Sequence, residues 1–182
     1  MYLYKEHYVK NWDFDKSKNS VEVKRDGKIR EDIDPKRIAT VTEEVAYWRK
    51  ANAIHKWFID KCADGDEDRR RMWVSIDCLK ELLKTVKKVL ESCELVEGEI
   101  ENGWLFEKGK RKTLYRKGKY VKDPSVAKEL LPTTEGFFFG STNYDDMYVE
   151  DLEYTKKILE EELKKASKEK DFGVDYFYEA SW

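Results

Sequence analysis

The chain has 182 residues, and 41% of them are charged, against about 25% in an average globular protein. Its 36 basic and 38 acidic side chains nearly cancel, so no overall field draws it to nucleic acid or to a membrane surface. Aromatic residues make up 14% of the sequence, which argues against disorder because disordered segments are poor in them. Residues 1–182 are therefore expected to form a single domain with its own core.

The N-terminus and the cysteines indicate a cytosolic protein. The opening residues lack the apolar stretch of a signal peptide, and no run approaches membrane-spanning length. Cys62, Cys78 and Cys93 are too few and too widely spaced for a disulfide framework or a Cys-rich metal site. We expect three reduced thiols that fill the core, and neither a bound metal nor a cofactor.

Short strands are predicted before the first long helix. Residues 1–12 are rich in Tyr and Val with rough alternation, which indicates a strand. The segment 21–30 contains an Asp-Gly pair between two short runs, and Asp-Gly favours the tight turn of a hairpin. A further short strand over 37–41 is expected to lead into the helix.

The stretch 40–62 is predicted to be one amphipathic helix. Thr40 and Glu43 form a capping-box pattern, in which the two side chains satisfy main-chain amides of the first turn. An apolar stripe at helical spacing comprises Tyr47, Ala51, Ile54 and Phe58. A second stripe beside it comprises Trp48, Asn52, His55, Ile59 and Cys62.

The polar side chains of this helix allow two interpretations. Asn52 and His55 are either buried and paired with neighbours, as buried polar groups normally are, or they face a pocket together with Arg49 and hold a polar ligand. We favour the first interpretation on general grounds and keep the second as a hypothesis.

The aspartates after residue 62 resemble a calcium loop only in their spacing. Asp64, Asp66 and Asp68 alternate as in an EF-hand loop, which needs Gly at its sixth position and Glu at its twelfth. Those positions hold Arg69 and Ser75. A solvated loop between two helices is therefore predicted instead.

A second helix is expected from Ser75, which is a suitable N-cap residue. Its apolar residues follow an alternating three- and four-residue spacing and comprise Ile76, Leu79, Leu83, Val86, Leu90 and Cys93. We expect this stripe to pack against the 40–62 helix. A stripe of this kind can also form a seam between copies of the chain, which would give a homo-oligomer.

Residues 94–122 are predicted to form a basic, β-rich extension, since four glycines separate short apolar segments. The segment 108–119, KGKRKTLYRKGK, is strongly basic and contains Tyr115. Cations and rings together suit nucleic acid, whereas lysines also protect the exposed edge of a hairpin. The net charge of −2 favours the hairpin interpretation.

The segment 131–146, LPTTEGFFFGSTNYDD, is the second candidate site. It lacks the Gly-Lys-Ser/Thr of a phosphate-binding loop, but a Gly-bounded aromatic run that leads into a helix N-terminus can seat a polar or anionic ligand. A short helix after Asp123 precedes it, a long helix over 146–169 follows it, and an aromatic strand closes the sequence. The prediction is an α+β fold with three main helices packed on a mainly antiparallel sheet.

Two motifs carry a family resemblance: EEVAYWRKANAIHKWF (43–58), and LLPTTEGFFFGSTNYDDMYVEDLEYT (130–155) with the upstream DPSVAKE. With the opening MYLYKEHYVKNW, they make the chain resemble a widespread, uncharacterised family of small proteins encoded by phages and prophages. The resemblance covers most of the chain and is weakest over 60–73 and 94–122. It implies expression in the cytosol of an infected bacterium, and it points to no active site.

Three functions are compatible with these patterns. The first is a binder without catalytic residues, such as a counter-defence protein that sequesters a nucleotide-like signal or blocks a host protein. Its candidate ligand-binding residues are Trp48, Arg49, Asn52, His55, Phe138, Ser141, Thr142 and Tyr144. The second is a small hydrolase with His55 as the base beside Asp145 or Asp146, although no nucleophile or metal motif accompanies them. The third is a nucleic-acid-associated protein acting through 108–119. We favour binding over catalysis.

Overall fold

The computed structural model describes residues 1–14, 16, 18–66, 71–136, 141–167 and 173–180, and these form an α+β protein, as predicted. The strands are β1 (Tyr2–Tyr8), β2 (Lys24–Arg25), β3 (Lys28–Ile29), β4 (Thr40–Tyr47), β5 (Arg71–Val74), β6 (Leu95–Glu107), β7 (Lys110–Val121) and β8 (Val174–Glu179). The helices are α1 (Asn52–Cys62), α2 (Ile76–Ser92), α3 (Ser125–Leu130) and α4 (Asp146–Ala166), with a 3-10 turn at Pro35–Arg37.

Four strands make the main sheet, in the order β4-β1-β8-β5, with antiparallel pairing throughout. β8 therefore lies inside the sheet, where Tyr178 pairs with Leu3 on one side and with Met72 on the other. These three side chains are almost fully buried. One face of the sheet thus contributes directly to the core, and residues distant in the chain meet across it.

The predicted helix over 40–62 is wrong in its first half, because residues 40–47 form strand β4. Thr40, Val41, Thr42 and Val45 are β-branched and suit a pleated strand, and β4 pairs along its length with β1. The predicted strand over 37–41 therefore begins later, after the 3-10 turn. The helix proper begins at Asn52, after a turn in which Lys50 has a left-handed φ of 65°.

The segment predicted to be a loop between helices contains a strand. In β5, Met72 and Val74 are buried while Trp73 is 58% exposed, which is the alternation of a strand with one face on the core. Asp68 and Arg69, which entered the calcium comparison, lie outside the described residues.

Helix α2 begins as predicted, since the Ser75 hydroxyl accepts a hydrogen bond of 3.1 Å from the main-chain N–H of Cys78. Its buried face differs from the predicted stripe and comprises Leu79, Leu82, Val86 and Val89. Ile76, which the prediction placed on that face, is 40% exposed. The face is turned in this way because α2 packs mainly against α4 rather than against α1.

The core contains a buried ion pair that links the sheet to α4. The Lys5 ammonium lies 3.1 Å from the carboxylate of Glu162, and both side chains are less than 10% exposed. The same Glu162 oxygen accepts a hydrogen bond of 2.8 Å from the Tyr176 hydroxyl. A buried charge is tolerated only with such partners.

The cysteines are not independent of one another. The sulfur of Cys62, at the end of α1, lies 3.2 Å from the sulfur of Cys78, in the first turn of α2. Both thiols and that of Cys93 are free and partly buried. The sequence spacing gave no indication of the contact, because it depends on how α1 meets α2.

Strands β6 and β7 form a separate two-stranded ribbon. Its base is fastened to α4: the Arg116 guanidinium lies 2.7 Å from the carboxylate of Asp146 and 3.3 Å from that of Asp145. The predicted β-rich extension is thus a long hairpin that is separate from the main sheet and contacts α4.

Candidate functional site

A cavity of about 340 Å³ lies between the N-terminus of α1 and the first two turns of α4. Its size falls within the range of about 300 to 1,000 Å³ that is usual for small-molecule sites. The described residues that line it come from 49–54, from Thr133, Ser141 and Asn143, and from one face of 145–152. The two stretches selected from the sequence therefore meet at this cavity.

The turn between β4 and α1 brings two cations to the cavity. Arg49 and Lys50 are both exposed and both line it. Lys50 has a left-handed φ of 65° in the turn between strand and helix. Ala51, the N-cap residue of α1, offers no side-chain hydrogen bond to the first-turn amides. Positive charge and the positive end of a helix dipole are thus combined in one wall.

Asn52 connects α1 to the segment that follows α3. Its side chain is 4% exposed, and its amide nitrogen donates a hydrogen bond of 2.9 Å to the carbonyl oxygen of Ser141. Its amide oxygen accepts a hydrogen bond of 3.2 Å from the main-chain N–H of Thr134. Asn52 therefore positions the cavity wall, and both of its functional groups already have partners in the protein.

The opposite chemistry comes from α4, which contributes two carboxyl groups. Asp145 is the N-cap of α4, and its side chain accepts a hydrogen bond of 3.2 Å from the main-chain N–H of Tyr148. Burial, with smaller contributions from the charges of Glu150 and Asp145, raises the pKa of Asp151 to about 7. At neutral pH the Asp151 carboxyl is therefore a mixture of protonated and ionised forms, and it can either donate or accept a hydrogen bond.

Trp48 and His55 are buried and are not among the described residues that line the cavity. The Trp48 ring N–H donates a hydrogen bond of 2.9 Å to the Thr155 hydroxyl. His55 is 3% exposed, and its Nδ1 lies 2.8 Å from the Tyr178 hydroxyl. Burial, followed by the charge of the N-terminal amino group, lowers the pKa of His55 to about 4. His55 is therefore neutral at physiological pH.

The remaining candidates divide between two places. Ser141 lines the main cavity, whereas Thr142 and Tyr144 line a neighbouring depression against the base of the hairpin. The Tyr144 hydroxyl accepts a hydrogen bond of 3.2 Å from the main-chain N–H of Thr133. Phe138 lies outside the described residues. Of the predicted set, the structure thus brings Arg49, Asn52 and Ser141 together at one cavity.

Sequence reasoning did not select Lys50 or Asp151 as site residues. Asp151 follows Tyr148 and precedes Leu152 on the cavity side of α4, and its position could have been found from the helical spacing alone. The position of Lys50 could not have been found in this way. It depends on where β4 ends, and the sequence predicted a helix there instead of a strand and a turn.

The described residues contain no group of three or more His, Cys, Asp or Glu side chains that could hold a metal ion. In the same part of the chain, no helix has the length and apolar character needed to cross a membrane. The lining of the cavity mixes apolar side chains with a few polar and charged groups, which is the usual composition of a site for a small organic molecule.

No family model matches the chain, and neither a curated protein nor a solved structure with significant similarity to it was found.

Proposed function

We propose that this chain binds a small nucleotide-like ligand in the cavity between α1 and α4 and acts by holding it. The observation that carries the proposal is the mixed lining of the cavity, which combines Arg49 and Lys50 with the carboxyl group of Asp151. A nucleotide presents the complementary combination, an anionic phosphate joined to a base with hydrogen-bond donors and acceptors. The resemblance to phage-encoded proteins suggests the setting, in which sequestration removes a nucleotide-like signal of the bacterial host.

The cationic wall suits a phosphate group. A guanidinium offers paired N–H donors that fit two phosphate oxygens, and a lysine adds a point charge. First-turn amides of a helix provide further donors with a favourable dipole. Arg49, Lys50 and the uncapped N-terminus of α1 therefore provide one type of recognition from a short stretch of chain.

The α4 wall suits the base. Met147 and Leu152 provide apolar surface in the lining, against which a flat ring can be buried. Asp151 can accept from an amino group when ionised and donate to a ring nitrogen when protonated. Because its pKa is about 7, a bound base would select one of the two forms.

The same geometry favours binding over hydrolysis. His55, the base in the hydrolase hypothesis, is buried against Tyr178 rather than exposed in the cavity. A general base must come within hydrogen-bond reach of the proton that it removes. A binder needs no such group, and it releases its ligand unchanged.

The test is native mass spectrometry of the protein purified from bacteria with an active nucleotide-signalling defence, followed by calorimetry with purified mononucleotides and cyclic nucleotides. We expect a discrete added mass that is released intact on denaturation. Arg49→Ala should weaken nucleotide binding by about tenfold or more, as expected for the loss of one charge-assisted contact. Arg25→Ala, which removes an exposed guanidinium from the β2–β3 hairpin, is the matched control and should bind normally.

Two outcomes would contradict the proposal. The first is equal binding by wild type and the Arg49→Ala variant, both shown to be folded by circular dichroism. The second is an apo mass together with no calorimetric signal from any nucleotide, which would direct the search to a host protein by pull-down. Release of a hydrolysed ligand would instead identify an enzyme.

A further inference from the structure

The outer part of the β6–β7 hairpin projects from the protein as an arm. We define the distal arm as residues 102–115, and within it every residue from 102 to 112 is exposed. Its turn is formed by Lys108 and Gly109, which both have left-handed φ values, of 52° and 77°. At about 3.3 Å per residue of strand, the arm extends roughly 20 Å beyond its base.

One face of the distal arm carries three exposed rings. The register pairs Trp104 with Thr113 and Phe106 with Arg111, and paired or alternate residues share a face. Trp104, Phe106 and Tyr115 are therefore on the same side, and they are 52%, 68% and 61% exposed. Several exposed rings gathered on one face form the kind of apolar patch that marks an interaction site.

The same face carries a cation that is already in a stacking geometry. The Arg111 guanidinium lies 4.9 Å from the centre of the Trp104 ring, and the Trp104 and Phe106 ring centres are 5.7 Å apart. The distal arm contains four basic residues and one acidic residue, Glu107, although the whole chain has a net charge of −2. Of these basic residues, Arg111 shares the face of the rings, whereas Lys110 and Lys112 pair with Glu107 and Leu105 and lie on the opposite face.

We propose that the distal arm binds single-stranded nucleic acid. Bases of a single strand can stack on Trp104, Phe106 and Tyr115, and a phosphate can contact Arg111 on the same face, while the lysines of the arm add positive charge nearby. Stacking rings combined with cations is the recognition used by proteins that bind single strands without sequence preference. A duplex offers only its outer edges, because its base faces are already stacked. A second copy of the arm is a poorer partner, since two arms of the same positive charge repel each other.

The position of the arm is held independently of the cavity cations. Arg116 and the two aspartates at the start of α4 fix its base, whereas Arg49 and Lys50 follow β4. Asp145 also lines the cavity, so the two ligands are tested with substitutions that leave Asp145 in place, at Arg49 for the cavity and at Trp104, Phe106 or Arg111 for the arm.

The experiment is fluorescence anisotropy with labelled single-stranded RNA and DNA oligonucleotides of mixed sequence and with a duplex of the same sequence. We expect the wild type to bind the single strands more tightly than the duplex, and to weaken steeply between about 50 and 200 mM salt. Trp104→Ala/Phe106→Ala should weaken single-strand binding by about tenfold or more. Phe14→Ala, which removes an 80% exposed ring elsewhere, should have no effect.

A charge-reversal variant tests the second component. Arg111→Glu/Lys112→Glu should weaken binding and flatten its dependence on salt, whereas Arg25→Glu on the β2–β3 hairpin should change neither. Arg49→Ala should also leave the binding of the oligonucleotides unchanged. The proposal for the arm and the proposal for the cavity can therefore be contradicted independently of each other. Unfolding curves in urea show whether each variant is folded.

Three results would overturn the proposal. They are no binding of single strands at low salt, equal binding by folded wild type and Trp104→Ala/Phe106→Ala, and equal or tighter binding of the duplex. A dimer in light scattering that becomes a monomer in Trp104→Ala/Phe106→Ala, without nucleic-acid binding, would identify the arm as a contact between copies instead. A difference in affinity between single-stranded RNA and single-stranded DNA would show which of the two the arm prefers.

Discussion

Asn52 and Ser141 are joined by a hydrogen bond of 2.9 Å, in which the buried side-chain amide donates to a main-chain carbonyl 89 positions away. The amide oxygen of the same side chain accepts from the main-chain N–H of Thr134. One side chain thus holds α1 against both described flanks of the segment that borders the cavity. From the sequence, Asn52 could be either a ligand contact or a buried group paired within the protein. Its two hydrogen bonds give it a structural role: it positions the wall of the cavity rather than contacting a ligand itself.

Asn52→Ala is expected to destabilise the protein. It removes two hydrogen bonds and leaves the Ser141 carbonyl and the Thr134 N–H without this partner, which costs about 1–3 kcal/mol in the free energy of unfolding. Urea denaturation followed by tryptophan fluorescence measures the change. Asn102→Ala, at an exposed position of the hairpin, is the control and should unfold at the wild-type urea concentration. Equal midpoints for the two variants would show that the Asn52 contacts contribute nothing.

Acid should weaken the protein through His55. Its folded-state pKa of about 4 lies below the ordinary value of 6.5, so the unfolded chain takes up the proton more readily. Stability is therefore lost as pH falls from about 6.5 to about 4, by up to about 3 kcal/mol from this residue.

Urea denaturation of wild type and His55→Gln across that pH range measures this contribution. The stability difference between them should shrink as pH falls, because only the wild type loses the His55 contribution. His7→Gln, at the end of β1 where His7 contacts Glu43 at 2.7 Å, is the matched control for the loss of a histidine. A constant difference between wild type and His55→Gln would contradict the prediction.

Asp151 should act in the opposite direction. Its folded-state pKa is raised from 3.8 to about 7, so the folded protein takes up the proton more readily and stability is lost as pH rises through this interval. Asp151→Asn, which cannot ionise, should gain stability relative to wild type between about pH 4 and pH 7. Chemical denaturation at the two ends of the interval is sufficient. If the stability difference between Asp151→Asn and wild type is the same at pH 4 and at pH 7, the Asp151 carboxyl group is solvated and the prediction is wrong.

The buried pair of Lys5 and Glu162 should be strongly non-additive. Lys5→Met removes the buried lysine from the Glu162 carboxylate, which keeps only the Tyr176 hydroxyl and the exposed Lys165 ammonium at 3.8 Å as its partners among the described residues, and should cost about 3–5 kcal/mol in the free energy of unfolding. Lys5→Met/Glu162→Leu removes both charges and should cost less than the single substitution, since no unpaired charge remains. Lys56→Met, which breaks the more exposed pair with Asp60, should cost less than about 1 kcal/mol. A double variant that loses as much free energy of unfolding as Lys5→Met, or more, would contradict this account.

Cys62 and Cys78 should be oxidised together. A hydrogen bond from the Cys62 thiol lowers the pKa of Cys78, and the thiolate is the reactive form. Diamide, an azo compound, should oxidise these two thiols to a disulfide and take up their two hydrogens as the corresponding hydrazine. One of the three thiols should then remain titratable. Cys93→Ser should still lose two thiols, and Cys62→Ser should form no intramolecular bond. Three free thiols in oxidised wild type would refute the pairing.

Local patterns in the sequence predicted the elements whose causes are local. The Asp-Gly hairpin, the Ser75 cap of α2 and the start of α4 depend on residues within one turn, and the structure has all three. Strand β4 was not predicted because Tyr47 lies at helical spacing from Ala51 and Ile54. That spacing is also compatible with a strand that ends at Tyr47 and a turn that leads into a helix. Its β-branched residues were the available signal, and pairing with β1 decided the outcome.

The candidate site was predicted only in part for a similar reason. Arg49, Asn52 and Ser141 were selected from two separate stretches and do meet. The direction in which Trp48 and His55 point depends on Thr155 and Tyr178, their partners more than 100 positions away. The buried pair of Lys5 and Glu162 and the contact of Arg116 with Asp145 also join residues that are remote in sequence. No periodicity in one segment contains information about such partners.

The central place of β8 has a consequence for how the protein is made. β1 leaves the ribosome early, but its inner neighbour β8 follows every other described element in the chain. Until translation reaches residues 174–179, β1 and β5 lack the strand that joins them, and the nascent chain can assemble only its helices, its two hairpins and the β1–β4 pair. Synthesis that stalls before this point would therefore produce a polypeptide with an open sheet edge, a natural substrate for the chaperones and proteases of the cell.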